Sequence, residues 1–81
     1  MRVQLAPRII VDSDIRFGKP VIEGTRVPVE IVIGKLASGM TSEEVADEYG
    51  ITRADVLASL RYAERLVERK RIRRLPVQRS G

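Results

Sequence analysis

The chain has no cysteine, no histidine and no tryptophan, and aromatic residues make up only 4 % of its 81 positions. Without cysteine there is neither a disulfide framework nor a thiolate metal site. Without histidine, the usual proton shuttle and the commonest metal ligand are missing. No apolar run approaches the ~18 residues of a membrane span, and the opening MRVQLAPR lacks a signal peptide's apolar segment. A single soluble, cytoplasmic domain is expected, over residues 1–75, followed by a flexible tail at 76–81. A chain this short buries only about 60–65 % of the surface its unfolded form exposes, and small domains often offset that deficit by oligomerising.

What is present is a polarity of charge. Residues 61–81 hold eight basic side chains against two acidic ones, whereas residues 1–60 hold seven against nine. A faintly acidic body therefore carries a strongly basic end, and such asymmetry points to an anionic target. A solvated helix face that keeps the protein soluble is the plain alternative.

Local signals divide the chain. Residues 8–12, RIIVD, form a β-branched run that reads as a strand. Asp12-Ser13-Asp14 reads as a turn in which side chains bond nearby backbone N–H groups. Lys19-Pro20-Val21-Ile22 is extended, and Pro20 removes a ladder donor, which places it at a sheet edge. Glu23-Gly24 reverses the chain, and Thr25-Arg26-Val27 is expected to return as the second hairpin arm. Arg26 suits either a functional contact or a salt bridge to Glu23 or Glu30, and the structural role is favoured.

Val29, Val32, Ile33, Leu36 and Ala37 lie at i, i+3, i+4, i+7 and i+8, the stripe of a first helix that Gly39 terminates. Ile31 and Gly34 lie off that stripe and hint at a second apolar contact, such as a dimer partner. Thr41 and Glu44 make a capping box for a second helix, with Met40 placed to staple onto Val45. Thr52 and Asp55 repeat the pattern for a third, with Ile51 against Val56. The third helix is expected to bury Val56, Leu57, Leu60, Ala63 and Val67 and to run to about Arg71.

Residues 42–61, SEEVADEYGITRADVLASLR, fit a helix-turn-helix. Ala46 supplies the small residue at the crossing, and Gly50 tolerates left-handed geometry in the turn. Val45, Tyr49, Ile51 and Val56 fill the inward sites, while Ser59 stands where an apolar residue is usual and Leu60 could replace it. The expected class is therefore mainly α: a homeodomain-like three-helix core with a short N-terminal β-hairpin or strand. Charge opposes strong DNA binding, because Glu43, Glu44, Asp47, Glu48 and Asp55 outnumber Arg53. If DNA is bound, Thr52, Arg53, Ser59, Arg61 and Arg65 are the candidate contacts.

No catalytic constellation emerges. Asp12 and Asp14 suit a turn, the acids at 43–48 suit a helix start, and Gly18-Lys19 lacks the rest of a phosphate loop. No enzyme activity and no cofactor are expected.

One segment is more specific than all of these. Gly18-Lys19-Pro20-Val21-Ile22 followed by Gly24-Thr25-Arg26-Val27-Pro28-Val29 closely resembles the hallmark hairpin of the domain-of-unknown-function 433 family. Residues 8–63 follow the family's layout; the departure is Tyr49-Gly50-Ile51-Thr52, where members often have a longer, proline-bearing turn. The resemblance implies a homeodomain-like core that dimerises, and an antitoxin role opposite a PIN-like ribonuclease toxin, with repression of its own operon. The basic end would then meet the toxin's carboxylates through Arg69, Arg71, Arg73 and Arg74, with Ile72, Leu75 and Val77 as apolar anchors. A helix-turn-helix regulator without a toxin, and a structural dimeric adaptor, are the alternatives.

Overall fold

A computed structural model describes residues 1–70. Three strands form one antiparallel sheet in the order β1 (Arg2–Ala6), β2 (Ile9–Asp12), β3 (Val21–Ile22). Three helices follow: α1 (Val29–Ala37), α2 (Ser42–Tyr49) and α3 (Arg53–Arg69). The expected arm residues Arg71, Ile72, Arg73, Arg74, Leu75 and Val77, and the tail at 76–81, lie outside the described residues.

The sheet is larger than the sequence suggested, because residues 2–6 pair with β2. Ala6 faces Ile9, so Pro7 and Arg8 alone make the hairpin loop. Pro7 pre-sets the first turn position, and Arg8 takes a left-handed φ of 69° that glycine usually occupies. β2 is the central strand and buries Ile9 and Ile10. β3 lies at the edge, as Pro20 requires, with Ile9 opposite Ile22 and Ile10 opposite Val21.

The connection from β2 to β3 starts with Asp12 Oδ1 accepting the Asp14 N–H at 2.9 Å. It then passes through consecutive left-handed residues, Arg16, Phe17 and Gly18. After β3, the Thr25 N–H donates to the Ile22 carbonyl at 3.0 Å, with Gly24 at a φ of 84°. The expected returning arm shrinks to a single bridge between Val21 and Pro28. Thr25 is the reason: its hydroxyl donates to the Ile22 carbonyl and accepts the Val27 N–H, occupying groups a ladder would use. The bridge is held by the Ile22 N–H on the Val27 carbonyl at 2.9 Å and the Val29 N–H on the Pro20 carbonyl at 3.0 Å, so the missing Pro28 N–H costs it nothing.

α1 ends as Gly39 predicts. The Met40 N–H reaches the Lys35 carbonyl at 3.2 Å and the Gly39 N–H reaches Leu36 at 3.0 Å, a Schellman closure. This helix stands between two apolar clusters. Val32 packs with Val45, Ile51 and Val56 of the helical half, joined by Leu36, Met40, Ala46 and Tyr49. Val29 packs with Ile9 and Ile22 of the sheet, joined by Ile33, Ala58 and Tyr62. Val27 touches both clusters, so the hairpin and the three helices form one body.

Candidate interaction surface on the third helix

Both capping boxes form. Thr41 Oγ1 accepts the Glu44 N–H at 3.1 Å, and Glu44 Oε1 accepts the Thr41 N–H at 2.8 Å. Thr52 Oγ1 accepts the Asp55 N–H at 3.1 Å, and Asp55 Oδ2 accepts the Thr52 N–H at 3.0 Å. Gly50 holds the intervening turn at a φ of 65°, and the Ile51 N–H returns to the Ala46 carbonyl at 3.1 Å.

The second box has a partner that the sequence did not reveal. Arg8 Nη1 donates to Asp55 Oδ1 at 2.9 Å, tying the β1–β2 loop to the first turn of α3. Burial pushes the Asp55 carboxyl up, but the Thr52 backbone N–H, the Arg8 and Thr52 side chains and the Arg8 charge outweigh it. The net result lies below the ordinary value of 3.8. Nothing local signals this pair, because 47 residues separate its members.

α3 turns a different face inward from the one its apolar residues suggest. Val56 is buried as expected, but so are Asp55 and Ser59, while Leu57 and Leu60 are each 40 % exposed and Val67 is 73 % exposed. The buried face is rotated by about one residue, roughly 100°, from the apolar stripe. Ser59 is fully buried, and its hydroxyl donates to the Asp55 carbonyl at 3.1 Å, so it needs no outside partner. It therefore cannot contact a base or phosphate in this fold, and Leu60 does not replace it in the core.

The remaining candidate residues are spread along the outer side. Thr52 is exposed, with its hydroxyl engaged in the cap. Arg53 stands 4.0 Å from Glu43. Arg61, Arg65 and Arg69 are exposed and have no salt bridge among the described residues, unlike Arg2, Arg8 and Lys19, which face Glu23, Asp55 and Glu30. Arg26 makes no ion pair among the described residues; Glu23 is taken by Arg2 and Gln4, and Glu30 by Lys19. What Arg26 does contribute is its carbonyl, which accepts from Arg16 Nε at 3.1 Å.

At about 100° per residue, α3 thus has two separate solvent edges. Arg61, Arg65 and Arg69 follow one, and the first two of them line, with the Pro7-Arg8 loop, a groove of about 200 Å³. Leu60, Ala63 and Val67 follow the other, flanked by Glu64 and Glu68. Among the described residues no helix is long and apolar enough to cross a membrane.

Comparison with known proteins gives three results. A family model described as "Protein of unknown function (DUF433)" matches residues 9–63. Over 44 residues, 54 % of this chain and 18 % of the relative, the sequence is 41 % identical to the protein named "Putative antitoxin VapB45" of Mycobacterium tuberculosis strain H37Rv. The crystal structure of Rv2018 from Mycobacterium tuberculosis matches with a TM-score of 0.66 at 33 % identity, over 73 % of this chain and 29 % of that one. In both cases the chain spans less than a third of the relative's length.

Proposed function

Since the chain belongs to the DUF433 family, whose model covers residues 9–63, we propose that it is a non-enzymatic, antitoxin-like module of a toxin–antitoxin pair. The observation that carries this reading is the row of exposed arginines on α3, Arg61, Arg65 and Arg69, which find no carboxylate within the described residues. The likeness to the protein named as an antitoxin adds the role.

The toxin in this reading is a PIN-like ribonuclease. Such a nuclease clusters carboxylates around its metal, and guanidinium groups match carboxylates with two parallel N–H donors. Arg69 opens the engaging segment, which continues through Arg71, Arg73 and Arg74. Co-expression with the product of the adjacent reading frame tests the pairing. Stable co-purification is expected with the full chain, and loss of it on deleting residues 70–81; unchanged affinity after that deletion rejects the arm as the toxin contact.

In this reading α2, the Gly50 turn and α3 serve as a homeodomain-like helix-turn-helix, with operator DNA as a second partner; the left-handed Gly50 between two capped helices supports it. Arg53, Arg61 and Arg65 are the phosphate or base contacts in that reading, and Ser59 drops out. The acids at Glu43, Glu44, Asp47 and Glu48 make the contribution of each module small, so the DNA-bound form is a homodimer in the cytoplasm. The apolar edge of Leu60, Ala63 and Val67 is the surface by which two copies meet. A fall of log affinity with log salt of roughly −0.9 per neutralised phosphate supports DNA contact, and no shift at low salt leaves the toxin role alone.

A further inference from the structure

The groove beside α3 has a composition that neither DNA binding nor the C-terminal arm explains. Its floor is apolar: Pro7 from the β1–β2 loop, and Leu57, Ala58 and Tyr62 from α3. Its rim holds three guanidinium groups, Arg8, Arg61 and Arg65, and among the described residues no carboxylate lines it. Arg8 is fixed in place by Asp55 at 2.9 Å, and its backbone carbonyl accepts the Glu23 N–H at 2.8 Å. The lip therefore sits on a hairpin braced at both ends, although Arg8 occupies a left-handed φ that costs an L-residue about 1–2 kcal/mol.

The groove's volume of about 200 Å³ falls below the roughly 300–1,000 Å³ of pockets that enclose a small-molecule ligand. It suits one large apolar side chain. A phosphate backbone gains nothing from the apolar floor of Pro7, Leu57 and Tyr62, whereas an apolar side chain of a peptide buries surface there.

We infer that the groove between the Pro7-Arg8 loop and α3 seats an acidic segment of a partner protein, one apolar side chain on Leu57 and Tyr62 and flanking carboxylates on Arg61 and Arg65. Arginine suits this because its fork grips a carboxylate through two donors, and apolar anchors ringed by charge concentrate interface energy. The inference rests on the reading of α3's arginine edge as protein-facing. It places part of the partner contact on the folded body rather than on the arm.

The test is selection of a random peptide display library on the immobilised full chain. Parallel selections use Arg61→Ser/Arg65→Ser and, separately, Ala54→Glu, which puts a carboxylate on the groove wall. Ala54, Arg61 and Arg65 are all exposed, so the variants are expected to keep the wild-type far-UV spectrum. The expected result is enrichment of peptides with one Leu, Ile, Phe or Trp between Asp or Glu residues. Their affinity should fall at least about tenfold on both variants, as removal of paired charges predicts. Neutral or basic winners, winners without an apolar residue, no enrichment, or equal binding to the variants would each overturn the inference. So would a duplex oligonucleotide that displaces the peptides and weakens by the same factor on the variants. The selection needs no toxin, so it can fail while co-purification succeeds, and the reverse.

Discussion

Asp55→Ala should be among the more damaging polar-to-alanine changes in this protein, and its cost can be worked from two separate bonds. Asp55 is only 8 % exposed. Removing its carboxylate leaves the Thr52 N–H without its acceptor, undoing half of a capping box, at about 1 kcal/mol. It also strands Arg8. A hydrogen bond to a charged group contributes about 1.5–3 kcal/mol when shielded, but the Arg8 side chain is half exposed and water screens it, leaving roughly 1 kcal/mol. The sum of about 2 kcal/mol corresponds to a fall in Tm of roughly 8–16 °C for a domain of this size. Arg8→Ala loses only the second contribution, about 1 kcal/mol. Arg8→Gly loses it too but relieves the left-handed backbone at φ 69°, an offset of about 1–2 kcal/mol that brings the net effect near zero. Urea unfolding followed by far-UV circular dichroism should therefore rank Asp55→Ala worst, Arg8→Ala next and Arg8→Gly mildest, with m-values unchanged. If Arg8→Gly costs as much as Asp55→Ala, or Asp55→Ala costs under about 0.5 kcal/mol, the clamp does not act as described.

Four other outcomes follow from the same structure. Because the Asp55 pKa is depressed below 3.8 in the folded state, the unfolded chain takes up this proton first. Its stabilisation is complete above that value and lost as pH falls through the folded one; the stability gap between wild type and Asp55→Asn should close in acid. Gly50→Ala meets no atom within 4 Å but must adopt a φ of 65°, so a purely conformational loss of about 1–2 kcal/mol is expected in the same unfolding assay. Ser59→Ala should change stability by less than about 1 kcal/mol and leave any DNA affinity untouched, whereas Ser59→Leu should overpack the site by about 1–3 kcal/mol; a DNA defect specific to Ser59→Ala in a gel-shift assay would contradict its burial. Leu60→Glu with Val67→Glu should convert a dimer to monomer in sedimentation velocity while barely moving the monomer's unfolding curve, and an unchanged oligomer would place the dimer contact elsewhere.

Sequence alone was sufficient wherever the determining interaction spans three or four residues. Thr41 with Glu44, Thr52 with Asp55, and Gly39 and Gly50 in left-handed geometry set where all three helices begin or end. The hairpin motif around Gly24 identifies the family, and the run of arginines after residue 60 marks the cationic end. Tertiary structure decided what no neighbouring residue can report. Residues 2–6 are a strand only because β2 lies beside them, and Val3 remains 49 % exposed even so. Which side of α3 faces inward depends on how α1 and α2 cross it: Ser59 could be buried because its hydroxyl bonds the carbonyl one turn back, and Leu57 and Leu60 were left outside. Arg8 meets Asp55 only through the packing of sheet on helix, and that contact sets the lip of the arginine-rimmed groove. Helix ends are written in local hydrogen bonds, whereas faces, pairings and grooves depend on groups far apart in the chain, and only the packed fold brings those groups together.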